Sequence, residues 1–302
     1  DTPRDEAFYV DQWGPEHEAD RAIAYIRNEG GDYRDADQPF ALVVAMNPPH
    51  MPYDLVPEKY VAYYDGKTYR DLLVRPNVDV EGDSPMSELA RTQTKNYFAM
   101  VTGVDEQFGR ILEALEEEEL TNDTIVLFTS DHGNCLGTHG QVSKNNHYEE
   151  SMRVPFLVRW PGRIEPRHDD LLLSTPDIFP TLLELMGFAE DIPAEVEGTS
   201  YAQILLTGEG ERPTSQLYLW VPPGEPARGR RGVRTRRYTL MIEKTGDRVT
   251  ETTLHDNKED PYQLRNIADE SPDVVERLIE EELTPWLEKT NDPWLTESLE
   301  RR

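Results

Sequence analysis

One cysteine, Cys135, stands in 302 residues, so no internal disulfide framework can form. Positive charge is scarce as well. The chain has 31 Lys+Arg against 59 Asp+Glu, a formal net charge of −28. A surface that acidic repels phosphate backbones, which argues against a nucleic-acid partner. No stretch approaches the roughly 18–20 consecutive apolar residues of a membrane helix, so no membrane span is expected. There is no visible signal-peptide pattern, internal repeat or low-complexity linker. The hydrophobic fraction of 37% is low, yet a chain this long can bury a core, with one large domain and a smaller one attached as the natural prior. Acidic runs such as Glu116–Glu119 and Glu280–Glu282 read as solvated helix faces, which bear on solubility rather than fold.

What is present has helix and strand periods in alternation. Residues 14–30 predict a helix: Pro15 suits the first turn, Ala19, Ala22, Ile23 and Ile26 recur at helical spacing, and Gly30-Gly31 stops the run. Phe40–Met46 is a continuous apolar run and predicts a buried parallel strand, ended by Pro48-Pro49. Residues 51–94 lack a period and predict a long functional loop. Tyr97, Met100, Val101, Val104, Phe108, Ile111, Leu112 and Leu115 form one helical stripe, read as core. Strands over Ile125–Phe128 and Phe156–Trp160 and a helix over Ile178–Met186, closing at Gly187, complete an α/β alternation. The pattern changes near residue 212. Gln216–Val221, Gly232–Glu243 and Val249–Leu254 predict short strands, with a hairpin turn at Lys244-Thr245-Gly246-Asp247. Ser271-Pro272-Asp273 starts a last helix with Val274, Val275, Leu278, Ile279 and Leu283 on its apolar side. The division is therefore residues 1–211, a doubly wound, mostly parallel α/β domain, and residues 212–302, a small antiparallel α+β subdomain.

The most informative stretch begins where the Ile125–Phe128 strand ends. Thr129-Ser130-Asp131-His132-Gly133 is followed by Lys144, then Tyr148-Glu149-Glu150-Ser151-Met152-Arg153-Val154-Pro155, and then Phe156–Gly162. In open α/β sheets, ligands sit outside the carboxyl ends of strands. Asp and His are metal ligands, and a lysine can hold an anion as a point charge. An isolated Asp-His pair could equally cap a loop; the order and spacing of the whole stretch say more. It resembles the formylglycine-dependent (type I) sulfatases of the alkaline-phosphatase-like superfamily. Asn47-Pro48-Pro49-His50-Met51-Pro52-Tyr53 resembles the family's histidine loop. Residues 97–115, Thr175–Leu182 and Asp260–Asn266 match further landmarks, so the likeness covers nearly the whole chain.

The resemblance implies roles residue by residue. Asp131 and His132 correspond to metal ligands, with Ca²⁺ or another divalent metal as the ion. Lys144 corresponds to the sulfate-contacting lysine. His50 corresponds to a histidine near the scissile ester that protonates the leaving alcohol or holds the sulfate. His139 and His147 flank Lys144 where the family varies with substrate, and are candidate substrate contacts. The family's Asp-Asp metal pair and its Cys/Ser-x-Pro/Ala-x-Arg nucleophile motif have no counterpart here. Cys135 lacks Pro and Arg at the required offsets and reads as a packed small residue. The expectation is that the chain is the larger C-terminal part of a sulfatase, inactive by itself, with formylglycine in a preceding segment. A periplasmic or secreted location is implied by the likeness alone.

Arg228, Arg230, Arg231, Arg234, Arg236 and Arg237 fall within ten residues. An acidic protein that takes an anionic substrate needs a local positive region, and arginine's planar fork suits sulfate. Arg230 and Arg234 are candidate substrate contacts on that ground. A strand pair whose arginines answer neighbouring acids fits equally. The implied function is hydrolysis of sulfate esters of a carbohydrate. A phosphonate monoester or phosphodiester hydrolase of the same superfamily, and a non-catalytic sulfated-glycan binding protein, are the alternatives. The oligomeric state has no sequence signature.

Overall fold

The computed structural model describes residues 9–246 and 248–295; Asp247 of the expected hairpin turn lies outside the described residues. The chain forms two compact units. The first runs to Val126 and includes Leu136–Val142 and Val158–Pro161; the second contains Leu127–Cys135, Ser143–Leu157 and the chain from Gly162 onward. The change of patterning near residue 212 falls inside the second unit.

In the first unit, α1 (Gly14–Arg27) buries Ala19, Ala22, Ile23 and Ile26, the stripe expected. It stops before the glycines. Asn28 takes a left-handed conformation (φ 49°) and its side-chain oxygen accepts from the Tyr33 and Arg34 amides. Asparagine tolerates that backbone better than most residues. The next long helix, α2 (Pro85–Glu117), begins twelve residues before Tyr97, the first residue of the expected stripe. Its first turns arise within the segment read as a loop. Ser84 Oγ accepts from the Ser87 amide at 3.1 Å, and Pro85 occupies the first turn, a start signal that outweighs weak periodicity. One-turn helices at Tyr53–Leu55, Glu58–Val61, Ala62–Tyr64 and Tyr69–Leu72 interrupt the rest of that segment. Ile111, Ala114 and Leu115 of α2 pack on the apolar stripe of α1.

The Phe40–Met46 strand is corrected. The segment is not assigned as strand, and it has no ladder partner among the described residues. Val44 and Met46 pack against the α1–α2 core, while Val43 is 90% exposed. One face therefore meets helices, and the other lacks the neighbouring strands that bury a parallel strand on both sides.

In the second unit the helix α3 (Thr175–Leu185) starts at a capping box in which Ser174 and Asp177 satisfy each other's backbone amides. The two strands of the motif region, β1 (Val126–Thr129) and β2 (Phe156–Arg159), pair in a two-stranded sheet; the division between units runs through both. A short helix, α4 (Ala202–Thr207), precedes an antiparallel sheet in the order β3 (Ser215–Trp220), β4 (Gly229–Thr235), β5 (Tyr238–Thr245), β6 (Arg248–Asp256). The run Gly232–Glu243, read as one strand, is two. Thr235 turns the chain, its Oγ1 accepting from the Arg237 and Tyr238 amides.

Strand alternation gives this sheet two different faces. Val233, Leu240, Ile242 and Leu254 face the helices α5 (Pro272–Leu278) and α6 (Thr284–Lys289), with Leu278, Leu283 and Leu287 completing the core. A π-turn over Ile279–Leu283 joins those two helices. The opposite face is polar. Cross-strand partners place Tyr218 beside Gly232, Arg230 beside Glu243, Arg234 beside Thr239, and Thr239 beside His255.

Candidate active site

The Asp131–Gly133 turn is locked to the motif that follows Lys144. The Gly133 amide donates to the Ser151 carbonyl at 2.8 Å, and a Cβ on Gly133 would run into the Glu150 carbonyl. Only glycine allows this approach, which explains why the Asp-His-Gly and Tyr-Glu-Glu-Ser runs occur together. Cys135 is 1% exposed. Its amide donates to the Ser143 carbonyl at 2.7 Å, and its sulfur receives Asn146 Nδ2 at 3.4 Å. Asn146 Oδ1 in turn accepts from the Tyr148 amide at 3.2 Å. Cys135 is thus a packed residue, as expected.

Asp131 projects outward, its side chain 79% exposed. Oδ1 accepts from the His132 amide at 3.0 Å and from Ser130 Oγ at 3.2 Å. Burial pushes the carboxyl up, but the His132 ring and these hydrogen bonds together hold it below the usual carboxylate range. His132 Nδ1 lies 2.8 Å from the Gly133 carbonyl. A carbonyl can only accept, so Nδ1 carries a proton and a neutral ring presents the Nε2 lone pair outward. That Nε2 stands 3.1 Å from Asp131 Oδ2. Two facing acceptors repel unless a proton or a cation joins them. Calcium takes about six to eight oxygen ligands, so this pair by itself is only part of a cation site. Among the described residues no cluster of three or more His, Cys, Asp or Glu completes such a site.

Lys144 is half-buried, and among the described residues no carboxylate lies within 4.0 Å of it. The arginine cluster contrasts with it at every position. Arg228 pairs with Glu225, Arg230 with Glu243, Arg231 with Asp292, Arg234 with Glu149, Arg236 with Asp170 and Arg237 with Asp256. Alternation sends Arg230 and Arg234 to the polar face of the sheet and Arg231 to the other, where it is 1% exposed.

The polar face carries the Lys144–Ser151 segment. Arg230 Nη1 donates to the Asn145 carbonyl at 3.0 Å. Arg234 Nε donates to Glu149 Oε1 at 2.7 Å. The Glu149 amide donates to Gln263 Oε1 at 2.8 Å. His147, 5% exposed, lies with Nε2 3.1 Å from Thr253 Oγ1 and stacks on His255 with ring centroids 5.5 Å apart. His255 is 3% exposed and its Nδ1 donates to the Arg265 carbonyl at 3.0 Å. Thr253 and His255 carry no sequence signal for this task, because their partners lie more than a hundred residues away; Gln263 lies in the Asp260–Asn266 landmark, but only the fold reveals its contact with Glu149.

His50 and His139 belong to the first unit, and the other six predicted residues to the second. His50 is exposed, with Nδ1 donating to the Met51 carbonyl at 2.8 Å, so a neutral ring presents Nε2. His139, with a left-handed backbone (φ 54°), is held twice by Asn77: its amide donates to the Asn77 carbonyl at 2.7 Å, and Asn77 Nδ2 lies 3.1 Å from its Nε2. Asn77 sits in the segment without periodicity, and only the fold reveals it.

The sulfatase family model matches residues 15–188, and that of the C-terminal part of N-sulphoglucosamine sulphohydrolase matches residues 137–290. The chain is 41% identical to an endo-4-O-sulfatase of Bacteroides thetaiotaomicron, over 95% of this chain and 59% of the relative. It is 31% identical to an ulvan-active sulfatase of Formosa agariphila, over 88% of this chain and 50% of the relative. A solved sulfatase structure from Bacteroides fragilis superposes with a TM-score of 0.91 at 41% identity, covering 98% of this chain and 63% of that one. The chain therefore spans between half and two thirds of the length of these relatives.

Proposed function

This chain belongs to the sulfatase family, with its α/β, alkaline-phosphatase-like fold, and from that premise we propose that the protein hydrolyses sulfate esters of a sulfated carbohydrate. The names of its relatives, an endo-4-O-sulfatase and an ulvan-active sulfatase, support a glycan substrate. They equally support a periplasmic or secreted setting, where such glycans are met.

The carrying observation is Lys144. In a chain of net charge −28, where each of the six arginines between residues 228 and 237 holds a carboxylate, this half-buried lysine has none among the described residues. A cation left unopposed in an acidic protein attracts an anion, and a sulfate oxygen fits a point charge. In our reading Lys144 binds the sulfate and stabilises the charge that grows on the bridging oxygen. Asp131 and His132 would hold a divalent cation, with calcium favoured by the carboxylate and less so by the imidazole. Such a cation, with the formylglycine that the family likeness implies, would supply electrophilic assistance and the nucleophile. His50 is proposed to protonate the leaving alcohol or to hold the sulfate; with Nδ1 donating to the Met51 carbonyl, either task at Nε2 is one for the imidazolium form, which carries a proton there. His139, His147, Arg230 and Arg234 remain candidates for substrate contact, although each is already engaged by protein groups.

The test is turnover of a sulfated oligosaccharide by the full-length protein and its Lys144→Ala variant. Loss of one such electrostatic donor is expected to lower kcat/KM about 10²- to 10³-fold. Equal turnover by the variant would overturn the role of Lys144.

A further inference from the structure

The backbone on both sides of Lys144 is pinned. On one side the Ser143 carbonyl accepts from the Cys135 amide at 2.7 Å. On the other the Asn145 carbonyl accepts from Arg230 Nη1 at 3.0 Å. Asn145 has a left-handed backbone (φ 70°), a conformation that asparagine tolerates better than most residues and that the flanking contacts hold in place.

Arg230 is built to enforce it. It lies directly across the sheet from Glu243 on one side and Trp220 on the other. Its Nε donates to Glu243 Oε2 at 2.9 Å. Its guanidinium covers the Trp220 ring, 5.3 Å from the centroid. The plane of the fork is thereby set by a carboxylate and an indole, and the fork's remaining edge meets the Asn145 carbonyl. Lysine could carry the charge but could not make both hydrogen bonds from one rigid plane.

We propose that Arg230 is a positioning residue for Lys144: it acts through the Asn145 carbonyl to hold the lysine where it meets the sulfate. The proposal rests on the reading of Lys144 given above. It departs from the expectation that Arg230 contacts substrate, since Nε, Nη1 and one guanidinium face are already committed to protein.

A double-mutant cycle on the full-length protein separates these roles. Arg230→Lys keeps charge and bulk, and Asn145→Gly frees the same backbone from its other end. Each is expected to lower kcat about 10- to 100-fold, the cost of a small misplacement, with KM changed less than threefold. Combined with Lys144→Ala, either is expected to add no further loss, because the residue being positioned is gone. Unfolding midpoints close to wild type would show that the fold is intact; Asn145→Gly supplies the answer if Arg230→Lys does not fold. Multiplicative losses in the double variants, or a raised KM with kcat intact, would overturn the proposal in favour of direct substrate contact. Undiminished turnover by Lys144→Ala alone would instead remove the premise.

Discussion

At the scale of single residues, charge balance explains more of this protein than charge total. Six arginines in ten residues look like an anion site in the sequence, and in the fold each has a carboxylate. The contacts differ in weight. Arg231 and Asp292 are buried, with side-chain exposures of 1% and 7%, and Arg231 also donates to the Pro226 and Arg228 carbonyls. Removing one member of such a pair costs far more than removing an exposed one. Asp169 gives a pH-dependent case. Hydrogen bonds from Arg212 outweigh partial burial and, with the Leu171 amide and Arg167, bring its carboxyl down to about 2. A depressed carboxylate stabilises the fold above its unfolded pKa, about 3.9, and loses that contribution as pH falls toward 2. Arg212→Gln should therefore be less stable than wild type from pH 7 down to about 4, with the difference shrinking as pH falls from there through about 2. Denaturant midpoints across that range would show it, and a pH-independent difference would contradict the assignment.

At the scale of elements, local capping signals and long-range partners divide the outcome. The start of α2 is local: Ser84 Oγ holds the Ser87 amide, and the two hydroxyls bond at 2.9 Å. Ser84→Ala should cost about 1 kcal/mol, read as faster amide exchange in the first turn of α2; unchanged exchange there would show that packing holds the turn. That Ser-Pro start was legible, but the lack of a clear apolar period over residues 85–96 hid it. The Phe40–Met46 run shows the reverse. Its composition is that of a buried strand, yet a strand exists only through a partner, and none lies beside it among the described residues. The run Gly232–Glu243 looked continuous because Val, Thr and Tyr suit both strands; the turn at Thr235 depends on a side-chain hydroxyl bonding back to its own chain.

At the scale of the whole molecule, self-repulsion sets the response to salt. With 59 acidic and 31 basic side chains, net repulsion acts over the full surface, while exposed pairs such as Arg70–Glu81 contribute little. Salt at about 1 M shortens the screening length to about 3 Å. The thermal midpoint should therefore rise as sodium chloride is raised; a flat or falling midpoint would mean that the ion pairs outweigh the net charge. By itself the sequence determined the α/β class, the stripe of α1, the antiparallel sheet beyond residue 212 and the stretch from Asp131 to Pro155. Those depend on periods and motifs that neighbours along the chain impose. Only the tertiary structure decided that Gly133 must meet the Glu150 carbonyl, that the arginines are matched, that His147 lies on His255, and that Lys144 has no carboxylate beside it among the described residues. Each of these is a meeting of strands or loops distant in sequence, and such contacts exist only once the chain has packed.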